Sequence, residues 1–200
     1  MQKAVIYLLA FSGGFSIMSI ELLGGRILAP WFGSSVYVWG SIITVFMLAL
    51  SAGYLVGGRL SVRNPSLTRY GVLFIAGAVL IAPLLFFGEA LMELVFEAVQ
   101  DPRYGSLLAS LLLFLAPTVL LGMISPYSVR LLVRQTEHSG EVAGFLYFVS
   151  TFGSALGTLG TSFYFVLWFE MDTILYGLIT LLVLCGLIAM ATDRVTETTS

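Results

Sequence analysis

Charge, cysteine and histidine are all scarce in this chain. Only 10% of its 200 residues are charged, and the net charge is −2. Soluble domains carry roughly 25% charged residues. So few charges cannot cover a soluble globule of this size, which excludes an ordinary soluble enzyme. The lack of any basic tract excludes a nucleic-acid partner, and the apolar composition excludes disorder. The single cysteine, Cys185, lies in an apolar run. It allows no internal disulfide and falls short of the pair that a thiol-redox carrier needs. The single histidine, His138, lies in a polar segment, so no histidine- or cysteine-based metal site is expected. Neither H-E-x-x-H nor a P-loop occurs. An intramembrane Ser-His protease would need a histidine inside a span. Gly13-Gly14 and Gly57-Gly58 follow no strand and are not nucleotide fingerprints. No enzymatic activity, cofactor or metal is therefore expected.

What the chain has in abundance is apolar length. Hydrophobic residues make up 58%, and the mean hydropathy is +1.01. A span needs about 20 apolar residues. Six such runs are present, at about 4–29, 36–58, 70–88, 105–124, 142–168 and 173–191. The expected fold is one all-α, polytopic membrane domain with a lipid bilayer around it. The first run is too long for a signal peptide and has no A-x-A-like cleavage site. The string 28–35, with Pro30 followed by Gly33-Ser34-Ser35, is expected to break the first helix. Glu89, Glu93, Glu97 and Asp101 recur every four residues, which predicts a separate amphipathic surface helix at 89–101. The polar tail from Asp193 is expected to fray.

Basic residues orient the chain. With the N-terminus inside, Lys3, Arg59, Arg63, Arg69, Arg130, Arg134 and Arg194 are cytoplasmic, and only Arg26 and Arg103 are outside. This positive-inside bias predicts a multi-pass membrane protein with both termini cytoplasmic and 89–101 extracytoplasmic.

The two halves share a pattern. Leu23-Gly24-Gly25, Ala29-Pro30-Trp31, Tyr37 and Gly53-x-x-x-Gly57 answer to Leu121-Gly122-Met123, Ser125-Pro126-Tyr127, Tyr147 and Gly153-x-x-x-Gly157. Three spans reverse direction, so such a repeat is a 3+3 inverted one, as in transporters.

Several residues are candidates for function. Glu21 lies roughly 25 Å along the first span. A carboxylate there costs about 2.5–3.5 kcal/mol on translocon scales, and so needs a partner or a wet cavity. It is either a cation- or proton-coupling group or half of a structural ion pair. Arg26, about 140° round the helix, is badly placed to serve it. Arg103 or a backbone donor at the Pro30 break is expected instead. Trp31, Phe32, Tyr37 and Trp39 form either an aromatic belt or a box for an organic cation. The small-residue faces at Gly53/Gly57 and Gly153/Gly157 serve helix packing or, with Ser150, Thr151 and Ser154, line a substrate path.

The strings Glu21–Trp39, Gly53–Leu60, Leu121–Tyr127 and Ala143–Thr158 together resemble the membrane region of bacterial multi-span spermidine synthase-like proteins. In that family a major-facilitator-like half is fused to an aminopropyltransferase domain. The family's catalytic domain would follow residue 200, so the resemblance implies a stand-alone membrane half without synthase activity. After Arg59 the chain reads Leu60-Ser61-Val62-Arg63, where the family tends to place an acid before the second arginine. The resemblance implies a transporter-like subunit for polyamines or another small organic cation. Its expected binding residues are Glu21, Trp31, Tyr37, Trp39, Tyr147, Ser150, Thr151 and Ser154. The alternative is a non-transporting anchor that holds a cytoplasmic synthase-like partner through Arg59, Arg63, Arg130 and Arg134. A homo-oligomer is a further expected state. A transporter should show a polar cavity reaching the midplane beside Glu21, and an anchor a dry core.

Overall fold

Within a bilayer every backbone N–H and C=O has to find its partner inside the protein, and a helix achieves this locally. The apolar runs are accordingly all helical. The structure is a computed structural model that describes residues 2–133 and 139–199, with the side chains of 195–199 excepted. Its elements are α1 (Gln2–Phe32), α2 (Val36–Val62), α3 (Leu67–Ile81), α4 (Pro83–Ala98), α5 (Pro102–Gly122), α6 (Ile124–Leu132) and α7 (Ser139–Gly160). A π-helical turn at Thr161–Phe165 and the short α8 (Val166–Trp168) then lead to α9 (Met171–Thr199). Taken with their continuations, they form six helices long and apolar enough to cross a membrane. The fold is all-α and polytopic.

Proline acts differently at different places. The first helix does not break at Pro30 but continues to Phe32. It stops at Gly33, whose φ of +76° suits a residue without a Cβ. Pro117 is likewise carried inside α5. The interruption comes instead at Met123, between α5 and α6. Pro126 has no N–H to offer the Gly122 carbonyl four residues back, so the ladder yields there. A similar one-residue interruption at Ala82 precedes Pro83. The acidic stripe therefore does not lie on a separate helix starting at 89. Its three glutamates belong to α4, which continues α3 as the second part of one membrane-length unit, Leu67–Ala98, and Asp101 lies beyond it as the cap of α5. Glu89, Glu93 and Glu97 are exposed, while Gly88, Met92 and Val95 face inward.

The tail differs from expectation too. Helix α9 continues through Asp193 to Thr199. The Asp193 carboxylate accepts bonds from the Thr68 N–H (2.9 Å) and hydroxyl (2.6 Å), which ties α9 to the start of α3. Nearby, the buried Tyr70 and Ser128 hydroxyls lie 2.6 Å apart, and the Tyr127 hydroxyl accepts from the Ser66 N–H. These bonds hold α6 against α3.

Three helix pairs make the most extensive contacts: α1 with α7, α2 with α5, and α3 with α9. Glycines allow each approach. Gly14 sits on the Ser150 carbonyl, and Gly153 and Gly157 sit on the Phe11 and Phe15 carbonyls. In the second pair, Gly53 sits on the Val119 carbonyl, Gly57 on Met123 and Gly122 on Leu50. In lipid such close backbone packing replaces the hydrophobic drive that water would supply. Exchanging the first three spans for the last three turns one seam into the other. Gly14 then answers to Gly122, Phe15 to Met123, Leu50 to Ser150, Gly53 to Gly153 and Gly57 to Gly157. The contacts thus have the pattern of a 3+3 inverted repeat. They also correct its register. Gly122 pairs with Gly14 rather than Gly24, and Tyr147 answers to Met47 rather than Tyr37.

Candidate functional site

An opening in the bundle lies where the two seams meet. A cavity of about 480 Å³ is bounded by α1, α2, the α5–α6 interruption and α7. Most of its lining respects the repeat, Ile124, Tyr147 and Thr151 being the exceptions. Gly13, Gly14, Ile17 and Met18 of α1 answer to Leu121, Gly122, Ser125 and Pro126, each pair offset by 108 positions (13 to 121, 14 to 122). Leu50 and Tyr54 of α2 answer to Ser150 and Ser154 of α7, each offset by 100 (50 to 150, 54 to 154). The cavity therefore sits on the pseudo-two-fold axis, beside an interrupted helix.

Its walls are apolar with polar points. Ser125, Ser150, Thr151 and Ser154 bring hydroxyls, and Tyr54 and Tyr147 bring half-exposed rings from α2 and α7. The Ser154 hydroxyl donates to the Ser150 carbonyl (3.1 Å), and Thr158 donates to Ser154 (2.9 Å). Of the expected binding residues, Tyr147, Ser150, Thr151 and Ser154 thus share one cavity. Gly13, Gly14, Met18, Leu50, Tyr54 and Ser125 are among the other lining residues, and sequence reasoning missed them as a site. The Gly53/Gly153 equivalence was the available signal, because it carries Tyr54 onto Ser154.

Glu21, Trp31, Tyr37 and Trp39 do not line this cavity. Glu21 is half-buried on α1, one turn beyond Met18, and Gly14, Met18 and Glu21 follow one helical face. It makes no hydrogen bond or ion pair among the described residues. The expected partner Arg103 is instead paired with Asp101 at 2.8 Å. The expected donor at a Pro30 break does not arise, because α1 is helical there. Arg26 donates to the Val166 carbonyl (2.8 Å). Trp39 lays its ring over Gly25, where a Cβ would meet it at 2.5 Å. Tyr37 is exposed. These aromatics therefore form no common box.

Trp31 packs against Phe96, with centroids 5.8 Å apart, and borders a second cavity of about 430 Å³. That cavity lies among the end of α1, α4, α5 and the start of α9, and Arg26, Glu89 and Asp172 share its wall. Arg59, Arg63 and Arg130 are exposed. The Arg63 carbonyl receives a bond from Arg69 (2.6 Å). Arg134, like His138, lies outside the described residues.

Comparison with family models, curated proteins and solved structures finds no match.

Proposed function

We propose that this protein is a transporter-like membrane subunit that takes a small organic cation, of the polyamine kind, into the cavity between α1, α2, α5 and α7. The observation that carries this reading is the position of that cavity on the pseudo-two-fold axis of an inverted repeat, beside an interrupted helix. Transporters place their substrates in such surroundings. The chemistry of the walls supports an ammonium ligand. Tyrosine rings attract cations, and serine and threonine oxygens accept from N–H donors. Glu21, one turn away on the same helical face, supplies a carboxylate with no partner among the described residues. The arginine distribution supports cytoplasmic termini, and the resemblance to bacterial multi-span spermidine synthase-like proteins supports the bacterial inner membrane as the location.

Uptake of radiolabelled spermidine into proteoliposomes tests the proposal. Thr151 borders the cavity without touching the glycine seams, so Thr151→Trp should fill the space in a folded protein. The wild type should accumulate label and Thr151→Trp should not. If the folded wild type neither accumulates nor binds spermidine, the transport reading fails. The anchor reading would then be examined by capture of a cytoplasmic aminopropyltransferase through Arg59 and Arg63.

A further inference from the structure

The second cavity carries a different combination of groups. Arg26 on α1, Glu89 on α4 and Asp172 on α9 all border its space of about 430 Å³. All three are exposed to the space, and none of them forms an ion pair with another. Among the described residues the ion pair formed is Arg103–Asp101, and neither Glu89 nor Asp172 makes a hydrogen bond. Arg26 gives one N–H to the Val166 carbonyl. A guanidinium has five donors in a fixed fork, so that bond anchors the group and leaves most of its donors unused. Trp31, Met92 and Leu175 form an apolar wall beside the charges. The volume falls within the range of small-molecule sites, roughly 300–1,000 Å³.

We infer that this cavity binds a small diamino acid, with its carboxylate on Arg26, its two ammonium groups on Glu89 and Asp172, and its carbon chain along Trp31. One guanidinium and two carboxylates match one carboxylate and two ammonium groups charge for charge. Because these charges make no ion pair with one another, no internal pair has to break before such a ligand binds. The site shares no lining residue with the central cavity and stands independently of the transport reading.

Calorimetric titration of the full chain in lipid nanodiscs tests the inference, with L-lysine as the probe. Norleucine lacks the side-chain ammonium, and 1,5-diaminopentane lacks the carboxylate. Lysine should bind at least about tenfold more tightly than either, a difference of about 1.4 kcal/mol. Glu89→Gln and Asp172→Asn should each reduce the preference for lysine over norleucine. Arg26→Gln should abolish the preference over diaminopentane. Because Arg26 also ties α1 to Val166, the two carboxylate variants decide the matter if Arg26→Gln does not fold. Thr151→Trp should leave lysine binding unchanged. Absence of lysine binding, equal binding of all three probes, or indifference to both carboxylate substitutions would overturn the inference. So would loss of lysine binding in a folded Thr151→Trp protein.

Discussion

Gly71 on α3 and Gly186 on α9 meet backbone to backbone, each at the other's carbonyl. A Cβ on Gly71 would lie 2.5 Å from the Gly186 oxygen, and a Cβ on Gly186 would lie 2.8 Å from the Gly71 oxygen. The contact is its own counterpart when the two halves are exchanged, as expected where an inverted repeat crosses its axis. The same exchange relates the Gly153/Gly157 seam to the Gly53/Gly57 seam. The three contacts together set the spacing within three helix pairs, which between them include all six spans.

Side chains at these seams should therefore destabilise the bundle. Gly71→Leu, Gly153→Leu and Gly157→Leu are each expected to cost at least about 1–3 kcal/mol, the usual scale of overpacking. Gly40→Ala and Gly58→Ala meet nothing within 4 Å and should leave the melting temperature nearly unchanged. Thermal melting in detergent checks both groups. Equal melting of all five variants would show that the glycine contacts are not what limits stability.

Three buried hydroxyls, those of Ser16, Ser110 and Thr161, have no hydrogen-bond partner among the described residues. An unsatisfied buried polar group costs free energy, and removing it is neutral or favourable when the shape is kept. Ser110→Ala and Thr161→Val should melt at the wild-type temperature or above it. A clear fall for both would mean that ordered water satisfies these groups.

Asp193 holds the N-terminal end of α3 through Thr68. Loss of a capping carboxylate costs typically about 1 kcal/mol. Asp193→Ala should lower the melting temperature, and hydrogen exchange should speed up at the Thr68 amide. A variant with unchanged exchange at Thr68 would show that the bond contributes little.

Asp101 lies between two spans and caps α5. Its carboxylate is held down to about 2 by the Arg103 side chain and backbone N–H, from an ordinary value of 3.8. A depressed carboxyl contributes stability above its unfolded value and loses it as pH falls through its folded value. Protection of the α5 N-terminus should thus be complete above about pH 4 and vanish toward pH 2. Asp101→Asn should remove that dependence. A carboxyl titration followed by NMR with a midpoint near 4 would contradict the pairing.

Glu93 and Arg63 are exposed near opposite ends of the bundle. In the proposed orientation Glu93→Cys should react with an impermeant thiol reagent in intact cells, and Arg63→Cys only after permeabilisation. The native Cys185 is buried and should contribute little background. The reverse pattern would invert the topology.

The sequence by itself determined that six helices cross the membrane. In lipid, helix formation depends on local apolar length, because the backbone cannot leave its hydrogen bonds to a distant partner. The start of α2 behind Gly33-Ser34-Ser35 was equally local. Proline effects were not. Pro30 and Pro117 sit within continuous helices, whereas Pro126 follows an interruption, and the dipeptides around them do not distinguish these outcomes. Which faces meet was decided by the tertiary structure alone. Small residues recur on every span, and packing in lipid depends on shape matched across two helices rather than on one helix's hydrophobic face. Hence the sequence paired Gly24 with Gly122, but the contacts pair Gly14 with it. Tyr54 joins the site of Tyr147 although nothing nearby in the sequence announces it. Arg26, Glu89 and Asp172, far apart along the chain, border one cavity because the end of α1, α4 and the start of α9 meet there.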